Sequence, residues 1–141
     1  MREILLLISL AFCGALWAQP ANDECVNAIM LPNQLEYCSE PGIFTTVDAT
    51  ASMTDYPACI REEPEIQDVW YSFVAQATDV TISVTGEQFV DSGGTLNRPQ
   101  FVLYAGSCDS LTEAGCASVL SSNTVFGTFT ELEVGRTYFI N

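Results

Sequence analysis

The stretch Asp68-Val69-Trp70-Tyr71-Ser72-Phe73-Val74-Ala75, followed after Ala77-Thr78-Asp79 by Val80-Thr81-Ile82-Ser83-Val84-Thr85, decides the fold class. In an extended chain successive side chains point to opposite faces. The second stretch alternates cleanly, with Val80, Ile82 and Val84 on one side and Thr81, Ser83 and Thr85 on the other, and reads as a strand with one wet face. The first stretch puts Val69, Tyr71 and Phe73 on one face and Trp70 and Val74 on the other. A strand apolar on both faces is a central one that needs cover on both sides, from a second layer or from loops.

The same pattern extends outward. Gly42 to Thr50 is rich in Thr, Val and Phe and reads as β structure; Phe101 to Tyr104 is a short strand that stops at Ala105-Gly106. Asn123 to Thr130 is another, and after a turn at Glu131–Gly135 a last strand begins at Arg136 and runs to Ile140. Asp55 to Ile66, broken by Pro57, Pro64 and a cluster of acids, reads as a long loop, as does Gln88 to Pro99. Helical signal is confined to Asn22–Ile29, where Asn22 or Asp23 caps a single turn. Short strands about 8–12 residues apart with turn signals between them predict an all-β sandwich or barrel.

The first eighteen residues read as a secretory signal peptide: Arg2 at the start, an apolar run from Ile4 to Trp17, and Ala18 before the expected cut. Glu3 and the bulky Leu16 depart from the usual form. An uncleaved anchor is the competing reading, but the run of about 14 residues is short of the roughly 20 that a spanning helix needs. Residues 19–141 are the size of one domain with a single modest core. The chain ends at Asn141 just after entering its last strand, which predicts a C-terminally incomplete module, a piece of a longer polypeptide.

The sequence has 18 acidic and 4 basic residues, no histidine and a net charge of −14. Beyond the leader only Arg61, Arg98 and Arg136 are basic. Phosphate backbones and anionic lipid are bound through clustered Lys and Arg, so nucleic acid is excluded as a partner and no membrane insertion is expected after cleavage. Of 6 cysteines, Cys13 leaves with the leader, and Cys25, Cys38, Cys59, Cys108 and Cys116 remain for an oxidising compartment to pair. Cys108 and Cys116 enclose a short polar segment, so a local bridge between them is expected. One of Cys25, Cys38 and Cys59 is then left over. No C-x-x-C and no histidine supports a zinc site.

The string Asp91-Ser92-Gly93-Gly94 echoes catalytic motifs, but a serine nucleophile needs a base and the chain has no histidine. An aspartic peptidase needs a second carboxylate motif, and none is present. Turn chemistry explains the string. Trp70, Tyr71 and Phe73 could form a sugar-stacking platform, but aromatics on such a strand are more often core; Tyr56, in a loop, is the better ligand-contact candidate. Asp55, Glu62, Glu63, Glu65 and Asp68 form a dense acidic stretch, and calcium would bind there or near Asp23 and Glu24 if at all. The stretch lacks the order of a known calcium loop, and a solvated acidic loop is the simpler reading.

Four blocks then resemble a known family: Asn22-Asp23-Glu24-Cys25 with Ala28-Ile29; Asp68 to Phe73; Val102-Leu103-Tyr104-Ala105-Gly106-Ser107-Cys108 with Ser110-Leu111-Thr112-Glu113 and Cys116; and Val134-Gly135-Arg136-Thr137-Tyr138-Phe139-Ile140. Their order is similar to the pre-peptidase C-terminal-type and CUB-like β-sandwich modules of exported Bacteroidota proteins. The resemblance implies an antiparallel jelly-roll-like sandwich, no catalysis, and a place beside peptidases, adhesin-like repeats and sorting domains of the type IX secretion route. Many such modules carry Asp-Thr before the Val-x-Leu-Tyr strand; this chain has Asn97-Arg98-Pro99-Gln100.

The expectation is therefore a secreted or cell-surface, non-catalytic interaction or spacer module. It would present loops 55–66, 86–99 and 105–116 to neighbouring domains, an extracellular protein or a polysaccharide. A carbohydrate-binding module and a calcium-dependent adhesion module are the alternatives.

Overall fold

The computed structural model describes residues 19–33, 35–53, 56–61, 66–86 and 98–141. The expected leader, Asp55, Glu62, Glu63, Glu65 and the Asp91–Gly94 string lie outside these residues. Among the described residues there are seven strands: β1 (Ile29–Met30), β2 (Tyr71–Val74), β3 (Val80–Thr85), β4 (Gln100–Ser107), β5 (Ser110–Ser118), β6 (Thr124–Phe129) and β7 (Thr137–Ile140). One 3-10 turn, Cys25–Asn27, is the helical element expected near the start. No described helix is long and apolar enough to cross a membrane.

The strands form two sheets, one of five strands in the order β1-β2-β7-β4-β5 and one of two strands, β3-β6. Neighbours are antiparallel except β1 and β2, which are parallel. The all-β expectation holds, and β2 is interior to its sheet, as its two apolar faces require. The alternation along the five-stranded sheet sorts its side chains into two cores. On one face Tyr71, Phe73, Phe101, Leu103, Tyr138 and Ile140 meet Val80, Ile82, Val84, Val125 and Phe129 of the smaller sheet. On the other, Trp70, Val102, Tyr104 and Phe139 meet Cys25, Ala28, Met53, Tyr56, Cys59 and Ile60 from the loops.

The β3 prediction is met residue by residue, since Val80, Ile82 and Val84 are half-buried while Thr81, Ser83 and Thr85 are exposed. The two sheets approach closest where Phe129 of β6 lies over β5. A Cβ at Gly115 would lie 2.7 Å from the Phe129 ring, and one at Gly127 would lie 2.9 Å from it. Glycine at these two positions lets the ring sit directly on backbone.

Two readings are corrected. Gly42 to Thr50 forms no strand; it runs as turns and irregular chain, with only Ala49 fully buried. It pairs with no described strand, and Phe44 instead packs edge-on against Tyr71, ring centroids 4.7 Å apart. Residues 105–116 are not a loop. β4 runs to Ser107, turns at Cys108-Asp109, and returns as β5.

That hairpin also overturns the expected Cys108–Cys116 bridge. Cys108 sits in the turn, whereas Cys116 lies along β5 opposite Val102. At about 3.3 Å of rise per residue, the extended strand carries the two cysteines roughly 25 Å apart. The bridges are Cys25–Cys108 and Cys59–Cys116, with Cα–Cα distances of 5.6 and 6.4 Å. Cys38 is the free, exposed cysteine left over. The bridges close sequence separations of 83 and 57 residues and interleave. In the chain-entropy model each loop of that length stabilises by roughly 4 kcal/mol.

Non-reducing digestion of the oxidised protein with Glu-C and pepsin, followed by mass spectrometry, is expected to yield the 25–108 and 59–116 cross-linked peptides and an alkylatable Cys38. Recovery of a 108–116 bridge would contradict the hairpin register.

Candidate functional site

Trp70, the residue just before β2, projects away from the small sheet and is 1% exposed. A loop layer with no regular hydrogen-bond ladder covers it, so its polar groups need individual partners. At the N-terminal end of the described chain, Asn22 donates from Nδ2 to the Trp70 carbonyl (2.9 Å), and the Trp70 amide donates to the Asn22 carbonyl (2.8 Å). Asp23 is buried and accepts from the Thr50 amide at 2.7 Å and from the Thr50 hydroxyl at 2.8 Å. These bonds seat the Asn22–Cys25 block against β2 and tie the 42–50 segment to it.

Asp68 forms the centre of a second, denser cluster. Its buried carboxylate accepts from the Ser52 amide (3.3 and 3.2 Å to its two oxygens), from the Ser52 hydroxyl, and from the Tyr56 hydroxyl at 2.6 Å. Ser52 Oγ in turn accepts from Trp70 Nε1 at 2.8 Å. Gln100 completes the attachment one turn further on, accepting from the Arg61 amide at 3.0 Å and donating to the Arg61 carbonyl at 3.2 Å. The carboxylate that the acidic-loop reading offered to calcium thus faces inward and is filled by protein donors. Among the described residues no three His, Cys, Asp or Glu side chains group closely enough to hold a metal.

Tyr56 joins the same arrangement. Its ring packs on the Trp70-side core and its hydroxyl points to Asp68, so the polar end that would meet a ligand is turned into the protein. Trp70 and Tyr71 do not form an exposed platform either: Trp70 is buried beside Tyr104, ring centroids 5.8 Å apart, and Tyr71 packs on the opposite face. A small cleft of about 210 Å3 opens between Glu24, the Cys25–Cys108 bridge, Ser52, Met53 and Asp109. A larger trough runs along β2 and β3 and reaches the loop residues Tyr56, Ile60 and Asp68; Tyr71, Phe73, Val80 and Ile82 along it are half-buried.

The electrostatics follow from burial. Burial first, then the hydrogen bond and negative charge of Asp68, push the Tyr56 hydroxyl pKa well above its ordinary 10.0. Burial, with the Glu113 and Asp68 charges behind it, pushes Tyr104 up to about 12. Tyr71 is raised as well, mainly by burial. Each of these tyrosines is therefore a hydroxyl donor throughout the neutral range.

Sequence reasoning named Asp68 and Tyr56 but assigned them outward roles, and it missed Ser52, Asn22, Asp23 and Gln100 as their companions. The available signal was the Asn22–Cys25 block, whose polar residues precede a single turn and have no local need for so many acceptors. The four blocks quoted for the family resemblance do converge in space: Asn22 and Cys25 meet Trp70 and Cys108, and β7 lies between β2 and β4. No protein-family model, curated protein or solved structure matches the chain.

Two measurements check the Asp68 cluster and its tyrosines. Asp68→Asn replaces an acceptor-only group by one whose amide faces the Ser52 and Tyr56 donors, and should destabilise by about 2–4 kcal/mol in urea unfolding. Alkaline titration tests the tyrosines. A tyrosine harder to ionise folded than unfolded contributes its full stability below its unfolded pKa of 10.0, and for Tyr104 that contribution is lost as pH rises to about 12. The melting temperature is expected to hold between pH ~7 and ~9.5 and fall from pH ~10 upward, with a shallower fall in Tyr56→Phe.

Proposed function

We propose that this chain is a non-catalytic extracellular module, a jelly-roll-like sandwich that serves as an interaction or spacer unit of a larger secreted or cell-surface protein. The observation that carries the reading is the way the loop layer is held. Interleaved disulfides and the Asp68 cluster fix the loop residues Cys25, Ala28, Ser52, Met53, Tyr56, Cys59 and Ile60 to one sheet face as a rigid surface. The polar groups gathered there are consumed in holding backbone. Ser52, the hydroxyl nearest a carboxylate, both donates to Asp68 and accepts from Trp70, and no imidazole exists in the chain to draw its proton.

Export is supported by the leader-like residues 1–18 and by disulfides, which persist in oxidising compartments. The resemblance to pre-peptidase C-terminal-type and CUB-like modules supports the same assignment and the place of the chain beside other domains. Calcium-dependent adhesion is the less favoured reading, since Asp68 is turned inward and saturated.

The test has two arms. Expressed from its own start codon in a bacterial host with a functional export pathway, the protein should be recovered outside the cytoplasm beginning at Gln19. The purified chain should then release no product from casein or from neutral polysaccharides. Cytoplasmic retention with the N-terminus intact would overturn the export claim, and a hydrolytic activity that copurifies with the protein would overturn the non-catalytic one. An unchanged melting temperature with calcium or a chelator is expected.

A further inference from the structure

The small sheet has an outer face that neither core uses. Because β3 and β6 pair in register, that face carries Thr81, Ser83 and Thr85 opposite Thr128, Phe126 and Thr124. Thr81 and Thr128 share a hydroxyl hydrogen bond of 3.0 Å, and Thr85 and Thr124 share one of 3.1 Å. Between these two hydroxyl pairs lies Phe126, 72% exposed, its cross-strand neighbour the small side chain of Ser83.

The arrangement is unusual for this protein in two respects. The chain carries −14 net charge, yet none of these six positions is charged. Five of the six are hydroxyl-bearing, in two rows with about 6.8 Å between alternate residues of a strand and about 4.8 Å between strands. A hydroxyl pair bonded to itself still keeps one O–H donor and three lone pairs for a ligand. A flat aromatic ring framed by neutral donors and acceptors matches a ligand with an apolar C–H face and a rim of hydroxyl groups.

We propose that the outer face of β3–β6 binds a neutral polysaccharide, with Phe126 stacking on a sugar ring and Thr81, Ser83, Thr85, Thr124 and Thr128 meeting its hydroxyls. The proposal deepens the extracellular-module reading and rests on it. Other ligand classes fit less well. Lipid headgroups and nucleic acids need cations, and this face has none. A protein hot spot is built from several large apolar or arginine side chains around a desolvated centre, whereas Phe126 is the sole apolar side chain among these six positions. Anionic polysaccharides meet a molecule with 18 acidic and 4 basic residues.

Affinity electrophoresis of the mature chain through native gels containing hydroxyethylcellulose, glucomannan, laminarin or yeast mannan, with alginate as the anionic control, tests the assignment. Retardation by at least one neutral polymer is expected, with little by alginate. Phe126→Ala should weaken it about tenfold or more, Phe126→Tyr should keep it, and Val134→Ala, in the β6–β7 turn, should leave it unchanged. No retardation by any neutral polymer, retardation by alginate alone, or equal retardation of Phe126→Ala would overturn the proposal. So would a dimer in light scattering that Phe126→Ala dissociates, since a second copy would then be the occupant. Release of reducing sugar from the same gels would instead overturn the non-catalytic reading and leave the binding assignment standing.

Discussion

Strands β2, β4 and β7 expose apolar side chains on both faces, and every other feature of the fold answers the need to cover them. On one side the answer is conventional, because β3 and β6 supply a second sheet whose alternating pattern buries Val80, Ile82, Val84, Val125 and Phe129. On the other side Trp70, Val102, Tyr104 and Phe139 are covered by chain without a sheet. Irregular chain over a core brings backbone amides and carbonyls that must each find a partner. Asn22, Asp23, Asp68 and Gln100 provide those partners, which is why polar and acidic residues lie beneath an otherwise apolar cover.

The scarcity of cations shapes how this is done. With 18 acidic and 4 basic residues, buried carboxylates cannot generally be neutralised by ion pairs. Asp23 and Asp68 are instead met by hydroxyl and amide donors from Thr50, Ser52 and Tyr56. Charge-assisted hydrogen bonds of this kind are stronger than neutral ones and tolerate burial when several converge. Arg136, bonded to Glu133 at 2.8 Å near the surface and lying over the Tyr138 ring, fixes the turn before β7. Disulfides supply the remaining attachment of the loop layer, and their interleaving ties it to both the turn and the far end of the β4–β5 hairpin.

The elements legible in sequence were those whose pattern repeats over several residues. Thr-Ile-Ser-Val-Thr could only be a half-wet strand, and the double-faced Asp68–Ala75 stretch could only be interior. β5 was missed because Ser110–Gly115 is polar, small and largely exposed, and it becomes a strand through pairing with β4 rather than through its own propensity. Gly42–Thr50 failed in the opposite sense: its composition favours β structure, yet it pairs with no described strand. The inward roles of Tyr56 and Asp68 were hidden for a related reason, since a carboxylate in an acidic loop looks solvated until the chain folds Ser52 over it. In the sequence Phe126 is simply one residue of a strand, because its exposure follows from the register of β6 against β3.

Composition and local order thus sufficed for the all-β class, the central position of β2 and the wet face of β3. These depend on side-chain periodicity, which is a property of neighbours along the chain. Folding in three dimensions chose the cysteine pairs, the partners of Asp68, and the face on which Phe126 stands. Each of these joins segments tens of residues apart, and which segments meet is set by sheet order and register, quantities that no local window of residues contains.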